Sequence, residues 1–198
     1  MTDLYGTAGR AWLRAVTLPE ITRVQVDLLL ELIDAVDVRV KRLDQRIRKS
    51  VARDPAAERL QTVPGIGPFG ALLLLAEIGR IDRFATSHQL AAYAGLVPST
   101  RRSGGKTSHG TVDGSGSPWL KWVLIEIVQT LKLAPGPIGM QYQKLLRAKG
   151  KAKATVAAAR KLCCYLYWML RNGWSYEEWL QQHEGWGVRP EHALGSVG

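Results

Sequence analysis

Between Ser99 and Arg171 the chain holds only two acidic residues, Asp113 and Glu126, against 13 Lys and Arg. Elsewhere 14 basic residues meet 15 acidic ones, so the net charge of +10 is concentrated in one segment. Such concentration, interleaved with Trp119, Trp122, Tyr142 and Tyr165, is the footprint of a polyanion partner, most often nucleic acid. Scarce acid also leaves no set of carboxylates converging on one pocket: Glu77 and Asp82 stand apart from Asp113 and Glu126, and no metal site is expected. Cysteine is nearly absent. Cys163 and Cys164 are adjacent, which disfavours a disulfide between them and lacks metal-ligand spacing, so they read as buried reduced thiols of a cytoplasmic protein. No apolar run approaches membrane-spanning length, the longest lying around Phe69 to Ala76, and no membrane partner is expected. The opening Met-Thr-Asp-Leu-Tyr-Gly lacks the basic-then-apolar pattern of an export signal.

What the chain does have is a stretch that cannot build a core. Between Ser99 and Ser117 stand five Gly, five Ser and three Thr, with Arg101, Arg102 and Lys106 among them. Such a loop leaves backbone N–H groups free for an anion. Ser103, flanked by Arg102, Gly104, Gly105 and Lys106, combines close backbone approach, cationic charge for an oxyanion and a hydroxyl, the requirements of phosphoryl transfer. His109 is suited to donate to a phosphate or accept a proton. Composition alone favours a solvated, flexible loop over this reading, and it is the flanking segments that point to phosphate.

The chain reads as mainly helical. Thr17-Leu-Pro-Glu20 is a capping box that starts a long helix, with apolar residues at Val26, Leu29, Ile33, Val36, Val40, Leu43 and Ile47. Their alternating steps of three and four form a coiled-coil seam, with Arg39 and Asp44 at g and e positions, which predicts a homo-oligomer; a stripe packed on the chain's own globular part is the alternative. Trp12 and Leu13 are expected to dock, and the helix is expected to fray in the basic run from Lys41 to Arg53. Asp54-Pro55 opens a short helix to about Gln61. Val63-Pro-Gly-Ile-Gly-Pro68 then leads into a second helix closed by Gly79, a helix-hairpin-helix pattern in which Gly65 and Gly67 permit the tight turn and the second helix offers its N-terminal N–H groups to phosphate. A hairpin that only packs helices has the same pattern. Thr86 and Ser87 cap a helix ending at Gly95, Ser117-Pro118 caps one whose Trp119, Trp122, Val123, Ile125, Ile127 and Leu131 make a broad apolar face, and Ser175-Tyr-Glu-Glu178 is a capping box. Between the last two lie a basic amphipathic helix from Met140 to Lys149 and a segment from Lys151 to Arg171, whose first turns are expected on nucleic acid and whose second half is expected in the core.

In this order and spacing the chain resembles the second half of the IS110/IS1111 (IS116/IS110/IS902) family of insertion-sequence transposases. The carrying residues are Leu60-Gln-Thr-Val-Pro-Gly-Ile-Gly67, Phe84 through Leu90-Ala-Ala-Tyr-Ala-Gly-Leu-Val-Pro98, Ser103-Gly-Gly-Lys106 and the Gly110 to Leu120 stretch, and the likeness spans roughly residues 4 to 180. It implies a transposase acting on DNA with a structured guide RNA. An N-terminal RuvC-like domain would hold a divalent metal ion such as magnesium, and a C-terminal domain would supply a serine nucleophile. That serine maps onto Ser103, with Ser99 the alternative if the motif is shifted. Arg101, Arg102 and Lys106 would neutralise the phosphate oxygens. The RuvC-like part has no counterpart in these 198 residues, so the resemblance implies either a separate half that completes the centre or a remnant that binds without cutting. The organisation expected is a coiled-coil segment at 1–53, a helix-hairpin-helix transposase domain with a basic Gly/Ser-rich loop at 54–184, and a flexible tail at 185–198.

Overall fold

The computed structural model describes residues 3–103, 106–112 and 116–183. It is mainly helical, as expected. The chain divides into two compact units, residues 1–47 and 48–198. The expected tail lies outside the described residues.

In the first unit a short helix, α1 (Thr7–Ala15), lies antiparallel on the opening turns of a long one, α2 (Glu20–Val51). Asp3 starts α1 by accepting from the N–H groups of Tyr5 and Gly6 at 3.1 and 2.9 Å. Charge then fixes the pairing. Arg10 donates to Asp37 at 2.6 Å and Asp34 at 3.2 Å, Arg14 donates to Asp34 at 2.6 Å, and Arg23 donates to the Leu13 and Val16 carbonyls while pairing with Asp27. Leu30 is buried, but Trp12 remains 49% exposed, so the docking expected of it does not occur. Nor does α2 fray at Lys41. It runs on to Val51, because charged residues on a solvated helix face leave the backbone ladder intact. Leu29, Val36, Val40 and Leu43 of the heptad stripe are exposed in the single chain.

The second unit is built around α8 (Lys151–Asn172), against which α3 (Pro55–Gln61), α5 (Ser87–Tyr93), α6 (Pro118–Leu131), α7 (Pro137–Lys149) and α9 (Tyr176–Gln182) pack. Ala154, Ala158 and Ala159 are already buried, so α8 enters the core within its first turns and not only in its second half. Small side chains there let α7 approach closely, and Leu162, Leu166 and Tyr167 fill the space further along. Burial pushes the thiols of Cys163 and Cys164 up from their ordinary range, which keeps both protonated. Asp54, Thr86 and Ser117 each cap their helix through a side-chain oxygen, and Ser175 forms a reciprocal capping box with Glu178. Two strands, β1 (Pro98–Ser103) and β2 (Lys106–Val112), pair antiparallel between α5 and α6.

Candidate nucleic-acid interface

The helical part of the site follows from two glycines and a proline. α3 meets α4 (Pro68–Ile78) through a turn in which Gly65 adopts φ +91°, a value L side chains rarely adopt. A Cβ at Gly65 would lie 2.9 Å from the Cβ of Thr130 on α6, so the turn also needs glycine for close approach. Gly67 differs. Its φ of −86° suits any residue, and a Cβ there would meet nothing within 4 Å, so the turn does not require a glycine at 67 as the sequence pattern suggested. As the N-cap of α4 it supplies no side-chain hydrogen bond, which leaves the first-turn N–H groups and the positive end of the helix dipole for an outside acceptor.

The other part is the hairpin, whose base is clamped by three elements. α5 ends in a Schellman motif: Gly95, at φ +63°, donates to the Ala92 carbonyl and Leu96 to the Ala91 carbonyl, both at 2.9 Å. Opposite it, the backbone of Gly116 passes so near Gly95 and the Tyr93 carbonyl that a Cβ would sit 2.5 Å from each. The Ser117 N–H donates to the Tyr93 carbonyl at 2.8 Å, and its Oγ donates to Glu77 Oε2 at the end of α4 at 2.6 Å. Arg83 completes the clamp. Its Nε and Nη2 donate to the Ile78 and Glu77 carbonyls, and its guanidinium lies 4.5 Å from the ring centroids of both Phe84 and Tyr93.

From this base the strands run out in a register that pairs Thr100 with His109, Arg101 with Ser108, Arg102 with Thr107 and Ser103 with Lys106. The register slips by one residue between Pro98 and Thr100. Ser103 and Lys106 are therefore the last pair before the tip, and Gly104 and Gly105 lie outside the described residues. The backbone thus gathers Arg101, Arg102, Ser103, Lys106 and His109 into one ribbon, while Gly65 and Gly67 belong to the α3–α4 turn. Ser99 lies on β1 within the register slip. Among the described residues no three His, Cys, Asp or Glu side chains gather in a way that could hold a metal ion. No described helix is long and apolar enough to cross a membrane.

Sequence reasoning missed Glu77 and Arg83 as supports of the hairpin, and a contact spanning 40 residues leaves no local signal. It also misjudged two aromatics. Trp119 and Trp122 were expected on the apolar face of α6 but are 59% and 45% exposed, because Leu120, Val123, Leu124 and Ile127 take the buried side.

Residues 57–143, from α3 into α7, match the model of the transposase IS116/IS110/IS902 family. The chain is 31% identical over 153 residues to the insertion element IS116 uncharacterized 44.8 kDa protein of Streptomyces clavuligerus, covering 76% of this chain and 38% of that protein. It is 26% identical over 162 residues to the transposase for insertion sequence element IS1111A of Coxiella burnetii, covering 80% of this chain and 44% of the relative. A pilin gene-inverting protein of Moraxella bovis is 28% identical over 146 residues, 70% of this chain and 45% of its own length. The chain thus spans less than half the length of each of these relatives. Its hairpin, its α3–α4 turn and the helices that hold them fall within the matched segment, and the chain belongs to the IS116/IS110/IS902 family of transposases.

Proposed function

We propose that this chain is the C-terminal part of a transposase acting in DNA recombination, with the hairpin as its reacting element and Ser103 as its nucleophile. The observation that carries the reading is the Ser103–Lys106 pair at the end of a basic ribbon, which sets a hydroxyl residue across from an ammonium residue. The Ser103 hydroxyl attacks a DNA phosphorus and a phosphoserine ester forms as the bond to one deoxyribose oxygen breaks. The hydroxyl proton passes to water and the departing deoxyribose oxygen takes up a proton, while His109, paired with Thr100 three positions back along the ribbon, meets a neighbouring phosphate. Arg101, Arg102 and Lys106 neutralise the phosphate oxygens, and the N–H groups of Gly104 and Gly105 add donors. The ester conserves the energy of the broken bond, so rejoining needs no external energy source. Gly65, Gly67 and the first turn of α4 hold a neighbouring phosphate in helix-hairpin-helix fashion.

The described residues offer no ligand set for a cation, and no step here runs through one. On this reading a divalent ion such as magnesium belongs to a RuvC-like half outside these 198 residues, a structured guide RNA selects the site, and the Val26 to Ile47 seam joins copies of the chain. The test is a denaturing gel for covalent attachment of labelled DNA to the chain and to Ser103→Ala, alone and with a RuvC-like half supplied. A serine-dependent adduct is expected. Intact DNA binding with no adduct under either condition overturns the nucleophile and leaves a non-catalytic nucleic-acid binder.

A further inference from the structure

Two tryptophans at the foot of the hairpin have no role in this chemistry. Trp119 and Trp122 sit in the first turns of α6, two and five residues beyond the Ser117 clamp, and are 59% and 45% exposed. They touch each other edge to face, with ring centroids 6.1 Å apart and planes at 86°. An exposed indole pair leaves much apolar surface in water, and the helix it stands on already has its core side filled. From Ala85 to the end of α6 at Leu131 the sequence carries Arg101, Arg102, Lys106 and Lys121 against two acids, Asp113 and Glu126. A partner that covers the rings must therefore offer flat apolar faces and negative charge together. Unpaired nucleotides do both, whereas the bases of a closed duplex hide their faces in the stack.

We infer that Trp119 and Trp122 form a stacking platform for the unpaired bases of a single strand whose phosphates lie along the basic hairpin. The inference rests on the nucleic-acid reading above but not on Ser103 being a nucleophile. The ring geometry adds a constraint. Successive bases in an ordinary stack lie parallel, and two rings at 86° cannot both continue one such column. A strand that engages both indoles has two bases turned apart, as in a strand splayed open for exchange or in the loop of a folded RNA. The site thus selects locally unstacked nucleotides of either backbone.

The test measures binding of the full chain, at one fixed salt concentration, to three fluorescently labelled probes: single-stranded DNA, single-stranded RNA and duplex DNA of equal length. The variants are Trp119→Leu, Trp122→Leu and the corresponding Phe changes, each checked for an unchanged thermal melt. Each Leu variant is expected to weaken single-strand binding about 5- to 100-fold and duplex binding less than about 3-fold, with Phe restoring most of the loss. Relative losses on the DNA and RNA strands identify which backbone the platform serves. Leu variants that bind single strands like the wild type overturn the inference and point to a protein surface as the occupant. Equal losses on strand and duplex also overturn it. If the wild type binds none of the probes, the nucleic-acid reading itself fails, an outcome distinct from losing the platform alone.

Discussion

Ser117 donates from its Oγ to Glu77 Oε2 at 2.6 Å while the same oxygen accepts from the Leu120 N–H at 3.1 Å. One hydroxyl thereby caps α6 and ties it to the end of α4, directly beneath the hairpin. Ser117→Ala removes both bonds and leaves a partly buried carboxylate without this donor. A loss of about 1–3 kcal/mol is expected in chemical denaturation, because a missing N-cap and an unmet buried group each cost on that order. Glu77→Gln keeps an acceptor and should cost less than half as much.

The two glycines of the α3–α4 turn separate folding from binding. Gly65→Ala forces a side chain into φ +91° and against Thr130, and should destabilise by about 1–3 kcal/mol. Gly67→Ala meets open space and should change stability by less than about 1 kcal/mol. If the α4 N-terminus holds phosphate, Gly67→Asp weakens duplex binding in a filter or anisotropy assay while the melt stays near the wild type. Unchanged binding by Gly67→Asp would remove the turn from the interface.

Tyr167 joins the core to the segment before the hairpin. Its hydroxyl lies 3.2 and 3.0 Å from the Phe84 and Ala85 carbonyls and accepts from Arg171 at 3.1 Å. Tyr167→Phe keeps the packing and removes those bonds, so about 1–2 kcal/mol should be lost in urea unfolding.

Alkaline pH offers a further check. Burial raises the Cys163 pKa well above its ordinary value, so the folded thiol stays protonated where the unfolded one, with a pKa of about 8.5, ionises. The unfolded chain then binds fewer protons, and this contribution to stability is full below the unfolded pKa and lost as pH rises above it. Cys163→Ala should flatten the fall in stability between about pH 8 and 9.5, measured by denaturant midpoints against the wild type. Buried Cys163 should also resist alkylation until denaturant is added, whereas Cys164 is only partly buried.

How much of this was legible depended on range. Asp54, Thr86, Ser117 and Ser175 were readable as caps because a cap needs only a side chain and an N–H two or three residues on. Helical content was readable for the same local reason. Periodicity marked Trp119 and Trp122 as apolar but could not say which side of α6 the core would occupy, since that depends on α8 and α4. The dense charge after Lys41 suggests a helix end, yet nothing in that run breaks a backbone hydrogen bond and α2 continues to Val51. Arg83 and Glu77 gave no sign at all. Glu77 meets Ser117 across 40 residues, and although the partners of Arg83 lie near it in sequence, an arginine that caps a helix while lying over two rings has no characteristic spacing.

The meeting of Gly95 and Gly116 makes the ribbon between them a replaceable part. With both stems held at one point, the core is indifferent to what is strung beyond it, and doubling an inserted loop adds only about 0.6 kcal/mol of closure entropy. Insertions at the tip are thus expected to leave the stability of the core nearly unchanged, whereas a side chain at Gly116 in the neck is expected to force the stems apart.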